Sequence, residues 1–348
     1  MTAQAPPDLP GRTATAGRAR NTRARLGLTT SVAIVLAALV VVCVASLLLG
    51  SRHVPLAALF DGDHPDHVFM EARLLRTGVG LLLGAAFGVA GAAIQGLTRN
   101  PLADTGLLGI NAGAAFAMVV GITYLGASGF SEYIWFGFVG AGLAALGVHL
   151  VASIGRGGAT PAKLVIAGAA LTAALTSWTT GVLLTNRDTL QAIRRWQIGS
   201  VAGKEQDVVL TALPFVLAGI VLALASARIL NALALGDDLA KGLGRKTGRD
   251  RAVVGVALML LVGASVAVAG PIVFLGLLVP HLVRMQVGGD YARVLPFSAA
   301  WGAALMVGAD ALGRVLLPPG EIEVGVMIAV IGAPVFLVMI RRGRLGSL

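Results

Sequence analysis

At 348 residues, 56% hydrophobic and only 13% charged, the chain carries about half of the roughly 25% charge found in average soluble proteins. Too little charge remains to coat a water-facing surface, which excludes an ordinary soluble enzyme and points to a lipid-facing bundle. The net charge of +10 does not indicate nucleic acid, because the basic residues sit between apolar runs and not on one face with interleaved aromatics.

In chain order, residues 1–26 read as a disordered basic cytoplasmic tail, with Arg12, Arg18, Arg20, Arg23 and Arg25 against one acid, Asp8. The apolar run that follows is too long for a signal-peptide core, so it is expected to be a retained first span. Its Cys43 is the only cysteine, which excludes a disulfide framework or a cysteine-held metal. Crossing the hydrocarbon takes about 20 apolar residues. Ten segments approach that length, at 27–50, 74–97, 105–125, 133–154, 162–185, 206–228, 252–270, 271–287, 294–317 and 322–340. The expected fold class is therefore all-α, a polytopic membrane protein of about ten transmembrane helices. Residues 27–343 form the membrane domain, with a polar inner loop at 230–251, and residues 344–348 form a cytoplasmic C-terminus. The 47 glycines suit close helix–helix approach in lipid. Gly270-Pro271 is the only break between the seventh and eighth segments and marks a tight re-entry; a nine-helix count is the competing reading.

Basic residues orient the bundle. With ten helices and both termini inside, nineteen of the 27 lysines and arginines fall on the cytoplasmic side. They are the five in the tail, Arg99, Arg156, Lys163, the six from Arg228 to Arg251, Arg284, Arg293, Arg341, Arg342 and Arg344. That excess agrees with the positive-inside bias.

Several constellations stand out along the chain. Asp61-Gly-Asp63-His64-Pro-Asp66-His67 offers metal-ligand chemistry, but in a solvated loop without repeated ligand spacing, and no metal is expected. Arg73-Leu-Leu-Arg76 opens the second helix, where cations oppose the macrodipole. These arginines need an acidic partner, or else they snorkel at the interface. Asn100-Pro101-Leu102-Ala103-Asp104 breaks the chain, with Asp104 or Thr105 as cap of the third helix. It is either an ordinary turn or a constriction at the cytoplasmic mouth. Residues 186–205 read as a short amphipathic helix ending in Trp196-Gln-Ile-Gly199-Ser200. In the inner loop Leu235, Leu239 and Leu243 share one helical face. Gly236, Gly242 and Gly244 split the loop into two short helices, which suits docking of a soluble partner better than lying on the bilayer. Gly242-Leu-Gly244-Arg-Lys-Thr-Gly248 lacks the phosphate-loop pattern, so any ATP is hydrolysed on another chain. His281 beside Pro280 reads as a packing residue at a kink, not a proton-coupling group. Asp310 lies one turn before Arg314, in place for an i,i+4 pair.

Read together, these stretches resemble the FecCD-type permeases of binding-protein-dependent ABC importers for ferric siderophores, haem or vitamin B12. The matching blocks are Arg73-Leu-Leu-Arg76, Gln95 to Gly109, Trp196 to Ser200, Leu233 to Ala240, Gly270 to His281, and Glu321-Ile-Glu-Val-Gly325 leading to Gly332-Ala-Pro-Val-Phe336. The resemblance implies a type II ABC importer permease in a bacterial cytoplasmic membrane, with both termini inside. It implies a dimer with an identical or sister permease, an ABC ATPase dimer beneath it and an extracytoplasmic substrate-binding protein above it. The chain itself would be no enzyme and would hold no cofactor, because ATP and Mg²⁺ belong to the ATPase. A ferric siderophore is the expected cargo, with vitamin B12 or haem as alternatives; an ion-coupled secondary transporter is the runner-up by class.

The resemblance also implies residue roles. Leu233, Leu235, Gly236, Asp237, Asp238, Leu239, Ala240 and Leu243 match the elements that seat in the ATPase. Arg73, Arg76 and Arg314 match arginines that meet glutamates of the binding protein. Asn100, Pro101 and Leu102 match the cytoplasmic gate. The fifth helix and the segment after it, through Trp196 and Gly199, match the border of the translocation path. Leu75 departs from the family, which usually has proline there.

Overall fold

The computed structural model describes residues 27–50, 54–127, 129–155 and 158–341. The tail at 1–26 and the C-terminus at 344–348 lie outside the described residues. Thirteen α-helices occur among those described, and no strand. They are α1 (Leu28–Leu48), α2 (His67–Thr98), α3 (Ile110–Tyr124), α4 (Phe130–Ser153), α5 (Pro161–Thr185), α6 (Arg187–Ile198), α7 (Gln206–Ala225), α8 (Ala227–Ala234), α9 (Asp237–Gly242), α10 (Thr247–Ala269), α11 (Leu275–Val287), α12 (Tyr291–Leu316) and α13 (Val324–Arg341). Short 3₁₀ turns stand at Leu56–Leu59 and Thr105–Leu108.

All ten expected segments are helical, but they are not equal. Seven are long and apolar enough to cross a membrane, namely α1, α2, α4, α5, α7, α10 and α12; α3, α11 and α13 are shorter apolar helices. At 15 and 13 residues, α3 and α11 reach about 20 Å, short of the roughly 30 Å hydrocarbon. Each is preceded by buried backbone that is not α-helical, with Thr105 and Leu108 of the 3₁₀ turn before α3 and Ile272 before α11. Irregular backbone at such depth is tolerated only where protein encloses it. The cap of α3 differs from expectation. Gly109, at φ 72°, occupies the N-cap, while Asp104 stands at the head of the 3₁₀ turn that Thr105 opens. Glycine enters that left-handed region without the Cβ clash an Asp or Thr would meet.

Helix α2 is the axis of the molecule. Its 32 residues start seven earlier than the apolar run suggests. Of its apolar window 78% is buried, against 11% for α5 and 17% for α1. The axis packs backbone to backbone on its neighbours. A Cβ at Gly88 would strike the Ser298 carbonyl of α12, one at Gly302 would strike Gly84, and one at Gly91 would strike Gly276 of α11. Small residues permit the close packing that stands in for a hydrophobic driving force in lipid.

Candidate functional site

Arg73 and Arg76 lie near the start of α2, and Arg99 caps its far end, so the molecule has two chemically distinct poles.

At the Arg73 pole, α1 ends without a basic residue in its last turn, leaving orphan carbonyls that attract cations. Arg73 donates to Leu47 O at 2.7 Å. Arg314 donates to Ser46 O at 3.0 Å and to Ser46 Oγ at 2.7 Å. Arg76 takes the acids. Its Nε and NH2 grip Asp310 at 2.8–3.1 Å, and its NH1 donates to Glu321 at 2.7 Å. Arg314 Nε also lies 3.3 Å from Asp310, the expected i,i+4 pair. Asp310 is thus clasped by two arginines, not held free to bind a coupling ion. Arg314 is only 2% exposed, and the Arg76 and Glu321 side chains are 14% and 35% exposed. Together with Lys204 these groups line a cavity of about 280 Å³.

Lys204 gives no signal in the sequence, since it stands in a short connecting loop. Burial pushes its pKa down to about 8; Glu323 opposes that shift and Arg195 adds to it. The unfolded chain therefore binds more protons than the fold between about pH 8 and 10.5, and this group's contribution to stability falls as pH drops through about 8. Acylation of Lys204, followed by peptide mass mapping, is expected to reach half its maximal rate near pH 8. A midpoint near the ordinary lysine value of about 10.4 contradicts this.

At the opposite pole, α2 ends at Arg99, which sits in the left-handed region at φ 50°. The next residues turn sharply. Leu102 N–H donates to Asn100 Oδ1 at 2.9 Å and Ala103 N–H to Asn100 O at 3.0 Å, across Pro101. Leu102 is 40% exposed. Near this turn is a part-buried group that sequence reasoning missed: Arg284 donates to Gln95 Oε1 at 2.5 Å and to Tyr291 OH at 3.3 Å. The available signal was an amide and an arginine inside otherwise apolar runs.

The inner loop forms the two short helices expected. Leu235, Leu239 and Leu243 are exposed, whereas Leu233 and Ala240 are buried and anchor α8 and α9. Gly236, at φ 101°, makes the corner between them. Asn231 ties α8 to the start of α12, donating to Asp290 at 2.7 Å and accepting from Tyr291 N–H at 3.0 Å. The two acids divide. Asp238 is exposed, while Asp237 turns inward, 2.6 Å from Arg251 NH2 and 3.2 Å from Arg99 NH2. Burial raises the pKa of Asp237. The hydrogen bond and charge of Arg251, then Arg99 and Lys241, outweigh that and hold the carboxyl below the usual range.

Between the poles, the sparsely buried face of α5 forms an open groove lined by Ala169, Thr172, Thr176, Ser177, Thr180 and Gly181, and among the described residues no charged one lines it. Trp196 and Gly199 are not among the residues lining this groove. Trp196 is 4% exposed and donates through Nε1 to Val266 O at 2.8 Å. Gly199, at φ 83°, accepts from Gly325 N–H at 3.0 Å. They fasten α6 to α10 and α13. The Asp/His loop makes local contacts: His67 Nδ1 lies 2.8 Å from Ala58 O, and His64 accepts from Asp66 N–H at 3.1 Å. Among the described residues no three His, Cys, Asp or Glu converge as metal ligands.

This architecture has known counterparts. The chain is 42% identical over 286 residues to the Fe(3+)-citrate import system permease protein YfmD of Bacillus subtilis (strain 168), covering 82% of this chain and 85% of that protein. It is 41% identical over 316 residues to the ferric enterobactin transport system permease protein FepD of Escherichia coli (strain K12), covering 89% and 94%. A solved metal-chelate type ABC transporter in an inward-facing conformation superposes with a TM-score of 0.80 at 27% identity, covering 90% of this chain and 99% of that one. The model of the FecCD transport family matches residues 38–342, which takes in both poles and the α5 groove, and the chain belongs to that family.

Proposed function

We propose that this chain is the membrane-spanning permease subunit of an ATP-driven importer that carries a ferric siderophore across a bacterial cytoplasmic membrane. The observation that carries the reading is a family match over nearly the whole described chain, shared with relatives named for ferric citrate and ferric enterobactin import. Alternating access is the mechanism. ATP closes a separate ATPase pair, α8 and α9 receive that movement, and the bundle changes which side is open. The α5 groove supports a path of small and hydroxyl side chains. Its lack of fixed charge avoids trapping a charged chelate whose affinity is supplied by a binding protein.

The partners follow from the poles. The exposed Leu235, Leu239 and Leu243 suit an ABC ATPase dimer at the cytoplasmic face, together with Asp238; Gly236 and Asp237 belong to the same coupling corner, with Asp237 turned toward Arg99 and Arg251. Asn100, Pro101 and Leu102 form the gate beside it. Arg73, Arg76 and Arg314 suit carboxylates of an extracytoplasmic binding protein, with Arg76 as the contact residue because its partner Glu321 is the most exposed member of the cluster. A second permease, identical or sister, closes the other side of the α5 groove. ATP and Mg²⁺ are held by the ATPase, and this chain holds no cofactor. Deleting residues 237–243 is expected to abolish ATPase co-purification and uptake of radiolabelled ferric citrate or ferric enterobactin while membrane insertion persists. Undiminished uptake after that deletion rules the reading out.

A further inference from the structure

The carboxylate of Asp237 is where three separate elements meet. Its Oδ1 lies 2.6 Å from Arg251 NH2, near the base of α10, and 3.2 Å from Arg99 NH2. Arg99 is the left-handed cap of α2 and the residue immediately before the Asn100-Pro101-Leu102 turn. Arg251 is 4% exposed, and its other terminal nitrogen donates to Ala159 O at 3.0 Å. Ala159 stands just ahead of α5, whose cap is Thr160 and whose first residue is Pro161. One side chain at the start of α9 is therefore joined to the turn after α2, to α10 and, through Arg251, to the loop that leads into α5.

The rest of α9 is lightly held. It has six residues; Leu239 is exposed, as is Leu243 just beyond, and Ala240 is the buried member. A push on this helix has two outcomes. Either Asp237 leaves Arg251, stranding a buried guanidinium at high cost, or Asp237 carries Arg99 and Arg251 with it. The second course moves the turn at residues 100–102 and the start of α5 together. Those are the elements that border the proposed gate and path.

We propose that Asp237 is the positioning residue that transmits displacement of α9 to the gate turn through Arg99 and to the start of α5 through Arg251, while Leu235, Leu239 and Leu243 make the docking contact itself. This rests on the reading of α9 as the ATPase-docking element. The two acids of α9 thus do different work: Asp237 faces the bundle and Asp238 faces the partner.

The test uses the full chain in complex with its co-purifying ATPase. A Cys43→Ser background removes the only native thiol, and Leu102→Cys then reports the gate through its rate of maleimide labelling with and without ATP. The parent complex is expected to show a nucleotide-dependent rate. Asp237→Asn is expected to keep the ATPase but lose that dependence, and Asp237→Glu to restore it. Arg99→Gln is expected to behave as Asp237→Asn does, and it decides the question where Asp237→Asn fails to accumulate in the membrane. Nucleotide-dependent labelling that persists in Asp237→Asn or Arg99→Gln overturns the proposal, as does a parent complex whose labelling never responds to ATP. Loss of the ATPase from Asp237→Asn also overturns it, because Asp237 would then be a docking residue. Leu239→Asp separates the underlying reading: it is expected to release the ATPase, and retention there refutes α9 docking itself.

Discussion

Gly88→Leu is expected to leave no folded chain in the membrane. Gly88 lies where α2 crosses α12, and a single Cβ there meets the backbone carbonyl of Ser298. Backbone cannot swing aside as a side chain does, so the two helices must separate. The same crossing is filled from the other direction by Gly302 against Gly84. Overpacking typically costs about 1–3 kcal/mol even where flexible side chains can adjust. Prying apart the central helix pair exceeds that, against a total stability on the order of 5–15 kcal/mol. Gly78→Leu on the same helix is the control, because no atom lies within 4 Å of its Cβ position. Extraction in mild detergent followed by size-exclusion chromatography reads the result. A monodisperse Gly88→Leu peak at the yield of Gly78→Leu refutes it.

Asp310→Ala is expected to destabilise the chain by about 3–5 kcal/mol, the usual consequence of removing one partner from a buried ion pair. Asp310 is 3% exposed and Arg314 is 2% exposed, so the lost carboxylate leaves a largely buried guanidinium without its counter-charge. Arg76 loses its bidentate partner at the same time and retains Glu321 alone. The double variant Asp310→Ala with Arg314→Met is expected to recover part of the loss, because it removes the stranded charge along with its partner. That non-additivity separates a charge effect from simple loss of packing. Denaturant titration of the purified protein measures both. A single variant within about 1 kcal/mol of the parent, or a strictly additive double variant, defeats the argument.

The inner loop shows how much was legible in the residues and where legibility stopped. Four-residue spacing put Leu235, Leu239 and Leu243 on one face, and the glycines between them placed the breaks. The structure keeps the breaks and leaves all three leucines exposed, with Leu235 at the end of α8 and Leu239 and Leu243 in and just after α9. Spacing said nothing of which acid turns inward. Asp237 and Asp238 are adjacent and chemically equal in sequence. Their difference arises because Arg99 and Arg251, far away along the chain, are brought to one side of α9 by the packing of α2 and α10. The arginine pair at Arg73 and Arg76 is similar. Its need for partners was readable from the helix dipole, but the carbonyls of Leu47 and Leu48 and the carboxylates of Asp310 and Glu321 come from three other segments.

The sequence alone determined the class of solvent, the number of apolar segments, their order and the blocks that match one family. These are local quantities, because burial in lipid depends on a run of side chains about 20 residues long and on little else. Only the tertiary structure decided which apolar helix is the axis and which is the periphery. It also decided that α3 and α11 are shorter than the apolar segments that contain them, that Gly109 caps α3, and that Trp196 fastens α6 to α10. Lipid tails are as apolar as the helices, so hydropathy cannot rank one apolar segment against another. That ranking comes from where two backbones can touch, and the contact is a joint property of residues as distant along the chain as Gly88 and Ser298.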